Sequence, residues 1–153
     1  GLSGADDVSQ GLSCNLGVIA VEGDDLVLKF NIRYPVTWKG SEVRDRVLRA
    51  CQESEDGYRL THFDDSAPLY FPLDHPLVAT ICDVYRAETG DDRRPGVLGG
   101  GTYARAVPNT VSVGTGWEGD GRAHETDERL KIEHLYRMSR IYAHMLYRLA
   151  TLP

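Results

Sequence analysis

Metal chemistry needs several nitrogen, sulfur or carboxylate donors converging on one point, so the five histidines are the first residues to weigh. His134 and His144 lie ten residues apart in a helical pattern. At about 100° per residue they face different ways, so they read as helix-side residues and not as a chelating pair. His62 and His75 have neither a second histidine nor a carboxylate at ligand spacing and read as structural. His124 differs: it sits in the polar run AHETDE at 123–128, between a strand-like and a helix-like segment, where ligands tend to gather. On its own a solvated loop histidine is the plainer reading. Catalytic zinc takes about three protein ligands, so if His124 is one, its partners must come from chain outside this sequence.

Two other places could contact a small molecule. Gly99, Gly100 and Gly101, followed by Thr102, come directly after a β-type run. Three glycines let backbone N–H groups approach a ligand closely, and a flexible turn is the alternative. Neither GxGxxG nor GxxxxGK[ST] is matched, so no nucleotide site is expected. Arg33 closes a strand-like run just before Tyr34-Pro35. Its guanidinium fork suits a carboxylate, although strand arginines are often plain surface charge. The acids are dispersed, and no Ser-His-Asp or Cys-His order stands out.

The elements that must position these groups can be read from patterning. Residues 1–11 are small and polar and predict a loose opening segment. Residues 16–21 and 26–34 flank a Gly-Asp-Asp turn and predict a hairpin. In the second strand Leu26, Leu28, Phe30, Ile32 and Tyr34 share an apolar face, and Lys29, Asn31 and Arg33 the polar one. Ser41 is the expected N-cap of a helix carrying Val43, Val47, Leu48 and Cys51, and residues 58–63 predict a further strand. Strand, strand, helix, strand is half of a ferredoxin-like α+β sandwich. Residues 64–72, with two prolines, predict a linker. Beyond it the pattern is α/β. A helix runs from Pro76 to a stop at Gly90, short strands lie at 97–101 and 110–114, and a glycine-rich loop leads to His124. A last helix carries Leu135, Met138, Tyr142, Met145 and Leu149 inward.

Composition narrows the partners. A formal charge of −6 with scattered Lys and Arg argues against nucleic acid, and no apolar run is long enough to span a membrane. Cys14, Cys51 and Cys82 are odd in number and have no CxxC spacing, which fits a reducing cytoplasm. The sequence opens without a basic and then apolar stretch, so no secretory signal is expected, and it reads as an excerpt of a longer polypeptide.

Taken in order, NIRYP at 31–35, PLYFP at 68–72 with DHPLV at 74–78, GGGTYAR at 99–105 with VPN at 107–109, and HETDE at 124–128 resemble the peptidase V-type dipeptidases. These belong to the two-zinc group of aminoacylases, glutamate carboxypeptidases and dipeptidases. The resemblance runs from about Leu16 onward. It implies that residues 1–70 are the second half of a lid or dimerisation-type domain, and that 71–153 are the C-terminal part of a zinc-peptidase α/β catalytic domain. His124 would then be the last zinc ligand. Arg33 would hold the substrate's C-terminal carboxylate, and Gly99, Gly100, Gly101 and Thr102 would lie beside the bound substrate.

The resemblance further implies a hydrolase of short peptides with a free C-terminus and two zinc ions in the complete enzyme. The general base and the other ligands would lie N-terminal to the lid, on the rest of the same polypeptide, so this segment alone should be inactive. Open sheet edges would permit self-association. Arg129 stands where the family usually has an aromatic, and 114–122 is unusually rich in glycine and charge, which bears on substrate preference. The rival readings are a ferredoxin-like binding or dimerisation module without catalysis, and an amidohydrolase of the same group.

Overall fold

A computed structural model describes residues 2–98, 100–114 and 116–152. Helix and strand are mixed, in the order β1 (Ala5–Asp6), β2 (Gln10–Gly11), β3 (Ser13–Glu22), β4 (Asp25–Arg33), α1 (Gly40–Glu53), α2 (Pro76–Thr89), a 3-10 turn (Tyr103–Ala106) and α3 (Ile132–Ala150). The chain divides into two compact units, one of Gly1–Tyr70 with Val97–Gly100 and one of Phe71–Gly96 with Gly101–Pro153. No helix of the described residues is long and apolar enough to cross a membrane.

In the first unit β3 and β4 form an antiparallel hairpin whose two-residue turn begins at Gly23, with φ of 65°, as a tight hairpin turn requires. Period-two alternation alone would put Leu16 and Ile19 on opposite faces. A bulge between Leu16 and Val18 corrects the phase, so that Leu16 pairs with Phe30, Ile19 with Leu28 and Val21 with Leu26, all on one apolar face. Asn15, Asn31, Lys29 and Arg33 occupy the other. The apolar face is not a core within this unit: Val21 is 74% and Ile19 64% exposed, and α1 does not pack on the hairpin.

Residues 58–63 are not a strand, contrary to the expectation from their composition. Strand propensity is realised only against a ladder partner, and here the contact made is an exposed Arg59–Asp25 ion pair of 2.8 Å, which contributes little. His62 lines a shallow groove with Arg44 and Leu48 of α1.

The opening segment is not loose. Asp6 accepts hydrogen bonds from the Val8 and Ser9 N–H groups at 3.0 and 2.5 Å and from the Thr37 hydroxyl at 2.9 Å, folding β1 onto β2. Gly4 lies so close under the Trp38 ring that a side chain there would overlap it, and the Arg46 guanidinium covers that ring at 4.0 Å. Small polar residues are here a means of close packing. The N-cap of α1 is Lys39, not Ser41. Glu42 reaches back to the Lys39 N–H at 3.5 Å, and Gly40 is buried against Asp65, whose carboxylate accepts from the Tyr34 hydroxyl at 2.6 Å.

The second unit is built on α2 against α3. Pro76 occupies the first turn of α2, the His75 imidazole accepts from the Leu77 N–H at 3.3 Å, and Gly90 closes the helix in the left-handed conformation. Val84, Ile141 and Met145 are buried between the helices, with Ile81, Tyr85, Tyr142, Val113 and Trp117 around them. Ile141 and not Leu135 centres the inward stripe of α3, since Leu135 is 50% exposed. The strands expected at 97–101 and 110–114 are absent from the described residues. Instead of a ladder, the carbonyl of Val113 takes the Tyr142 hydroxyl at 2.9 Å, which seats 110–114 on α3. A strand needs a ladder partner, and among the described residues these segments have none.

Candidate functional site

Arg33 ends β4, paired across the hairpin with Ser13. Its exposed guanidinium makes no hydrogen bond or ion pair among the described residues, so its fork remains available to a ligand. Gly99 lies outside the described residues. Gly100 falls in the first unit and is exposed, and Gly101 and Thr102 fall in the second. Gly101 and Thr102 line an open depression of about 620 Å³ with Tyr103 and Ser112. A side chain at Gly100 or Gly101 would meet nothing within 4 Å, so packing within the chain does not demand glycine there.

His124 lies in a loop that runs from Trp117 to Lys131, between the segment seated on α3 and α3 itself. Its φ is 65°, the left-handed region that histidine tolerates better than most side chains. The Glu128 carboxylate accepts from its backbone N–H at 3.0 Å, while the imidazole is exposed. Asp127, with φ of 62°, makes the second turn of the same tip.

The chemistry of this donor fits one place in a zinc shell. It does not fit a whole site: among the described residues no three His, Cys, Asp or Glu side chains converge to hold a metal ion. The predicted residues are thus gathered only in part. Gly101 and Thr102 share a depression to which His124 does not contribute.

Two histidines read from sequence as helix-side residues hold larger places. His134 is only 12% exposed in its side chain and donates from Nδ1 to Asp120 at 2.8 Å, with its ring 5.1 Å from that of Trp117. His144 bonds Glu88 at 2.9 Å, and Arg140 reaches the other oxygen of that carboxylate at 2.7 Å, tying α3 to α2. No local signal marks either pair, because the partners lie 14 and 56 residues away. His75, read as structural, caps α2 with its ring 4.9 Å from Phe71.

The Lys131 and Trp117 N–H groups, and then His134, hold the Asp120 carboxyl down at about 2. A folded pKa below the ordinary value means stability that is complete above about 4 and is lost as pH falls through 4 toward 2. The sign is that of acid destabilisation. We expect the melting temperature of the Asp120→Asn chain to lie below wild type at pH 6, with the gap narrowing as pH falls below about 4 and closing only below about 2. A constant difference across that range would show that the carboxylate's charge is not what contributes.

A family model for Peptidase family M20/M25/M40 matches residues 3–148. The provisionally named dipeptidase YtjP of Bacillus subtilis (strain 168) is 37% identical over 147 residues, covering 95% of this chain and 31% of its own length. A provisionally named dipeptidase of Staphylococcus saprophyticus is 30% identical over 146 residues, covering 94% of this chain and 30% of its own. One from Staphylococcus epidermidis is 29% identical over 145 residues, again 94% and 30%. The chain therefore spans about a third of the length of these curated relatives. With a match across nearly all of its residues, this chain belongs to Peptidase family M20/M25/M40.

Proposed function

We propose that this chain is part of a zinc-dependent dipeptidase that hydrolyses short peptides with a free C-terminus. The observation that carries the reading is the family match over residues 3–148, joined by relatives whose names say dipeptidase. Residues 1–70 serve as the second half of a lid, and 71–153 as the closing part of a catalytic domain. Arg33 takes the substrate's terminal carboxylate through its planar fork. Gly99, Gly100, Gly101 and Thr102 border the substrate, where the lack of a Cβ lets backbone N–H groups come close. His124 is one ligand to a pair of zinc ions, and the remaining ligands and the general base come from the rest of the polypeptide.

A cytoplasmic site accords with three cysteines that form no disulfide. The uncovered apolar face and open edges of the β3–β4 hairpin pair with the missing part of the lid, or with a second copy when that part is absent. That same exposed face favours the second reading, a pairing module without chemistry.

The test compares the complete polypeptide with this chain alone. The complete form should cleave a dipeptide, lose that activity to a chelator and regain it with zinc. The chain alone should show no cleavage and, in calorimetric titration, no tight zinc site, because one imidazole is a single ligand where three or four are used. A complete polypeptide that binds zinc yet cleaves no peptide would favour the pairing module, and tight stoichiometric zinc on the chain alone would overturn the assignment of the ligands.

A further inference from the structure

The loop that presents His124 is closed by a node of contacts around one carboxylate. Asp120 Oδ1 accepts from the Lys131 N–H at 2.9 Å and from His134 Nδ1 at 2.8 Å, and Oδ2 accepts from the Trp117 N–H at 3.0 Å. One side chain thus joins the start of the loop, its end and the first turn of α3. Just inside, the Gly121 N–H donates to the Arg129 carbonyl at 2.8 Å, and the Lys131 ammonium reaches the Glu118 carbonyl at 3.0 Å.

The two arms of the loop approach so closely that a Cβ on Gly121 would stand 2.6 Å from the Arg129 nitrogen, closer than a backbone atom allows, and a tight 3.0 Å from the Asp127 carbonyl. Glycine is required there by the closeness of the neck. His134, which completes the node, lies against Trp117, and the Arg137 guanidinium also covers that ring at 4.7 Å. The His124 tip, by contrast, is exposed and carries two left-handed residues. A tip of that kind keeps one conformation only if its base is over-determined.

We propose that Asp120 and His134 are positioning residues for His124, a part-buried carboxylate–imidazole clamp that fixes the neck of the loop and so sets where the His124 imidazole is presented. The inference rests on reading His124 as a metal ligand. It adds that the precision of that ligand originates in a pair outside the coordination shell, anchored to α3. Groups that orient a metal ligand from behind typically change affinity by 10- to 100-fold when removed.

The first arm of the test uses this chain and needs no metal. In Asp120→Asn, and separately in Gly121→Ala, which opens the neck by steric pressure alone, amide exchange at Gly121 and His124 should quicken about tenfold or more. The Ile141 and Met145 amides in α3 should lose far less protection than the loop amides, no more than the fall in overall stability accounts for. If the helix amides lose protection in step with the loop, the pair is a general stabiliser and the proposal fails. The second arm uses the complete polypeptide, with zinc as probe and a competing chelator as readout. Asp120→Asn and His134→Ala should weaken zinc binding about 10- to 100-fold, and His134→Gln, whose amide can still donate to Asp120, should recover most of it.

His124→Ala separates the two levels. If it abolishes tight zinc binding while Asp120→Asn leaves the affinity within about twofold, the clamp is wrong and the ligand assignment stands. If His124→Ala leaves zinc affinity unchanged, the ligand assignment falls and the clamp's purpose falls with it.

Discussion

Replacing Ile141 with alanine should cost the second unit roughly 2–5 kcal/mol, enough to leave much of it unfolded under mild conditions. Ile141 is fully buried and stands between Val84 and Met145 in the only cluster of buried apolar side chains in that unit among the described residues. Truncation removes its transfer free energy and leaves a cavity that α2, held to α3 by the Glu88, Arg140 and His144 contacts, cannot readily collapse to fill. Ile141→Val should cost only about 1 kcal/mol. Leu135→Ala is the matched control: the side chain is 50% exposed, so its loss should cost under about 1 kcal/mol. Urea titrations followed by helix circular dichroism give the three values. Were Leu135→Ala as costly as Ile141→Ala, the inward face of α3 in solution would be the one read from sequence.

That comparison bears on what the sequence could tell. α2 was legible because its signals are local: a first-turn proline and a glycine just past the end each act within one turn of chain, whereas the His75 cap was not read. The hairpin was legible for the same reason, at its turn and in its alternation. The bulge at Gly17 was not, because it is visible only when both strands are in register. Residues 58–63, 97–101 and 110–114 have strand composition, but a strand exists only with a partner, and composition does not say whether a partner is present. α3 has apolar residues on more than one side, with Ile132, Tyr136 and Tyr147 exposed along with Leu135, so periodicity alone could not choose its buried stripe.

The site follows the same division. The types and spacing of His124, Arg33 and the glycines left the ordinary readings open, and their assigned roles came from an ordered set of motifs resembling a family. The family is established by the match over residues 3–148. Asp120 and His134 could not have been found from spacing. A carboxylate in a glycine-rich loop and a histidine in a helix meet only after the loop has folded back on α3. What would have hinted at them is the glycine pair at 119 and 121, both hemmed in by the returning chain.

In the complete polypeptide, Arg33→Ala should lower kcat/KM on a dipeptide about 30- to 4,000-fold, the loss expected when a charged hydrogen-bonding partner is removed from a bound carboxylate at roughly 2–5 kcal/mol. Arg33 lies on the hairpin face opposite Leu28, Phe30 and Ile32, and its head bonds to nothing in this chain among the described residues, so its removal should leave the hairpin and the zinc content unchanged. Arg33→Lys, which keeps the charge but loses the planar fork, should fall between. The decisive comparison is a dipeptide against its C-terminal amide. Wild type should strongly prefer the free acid, and Arg33→Ala should lose most of that preference, because the two substrates differ only in the group the guanidinium would hold. His124→Ala should instead lose zinc and activity on both substrates alike. If wild type cleaves acid and amide equally, or if Arg33→Ala keeps the wild-type preference, the carboxylate is held elsewhere and Arg33 is only surface charge on a strand.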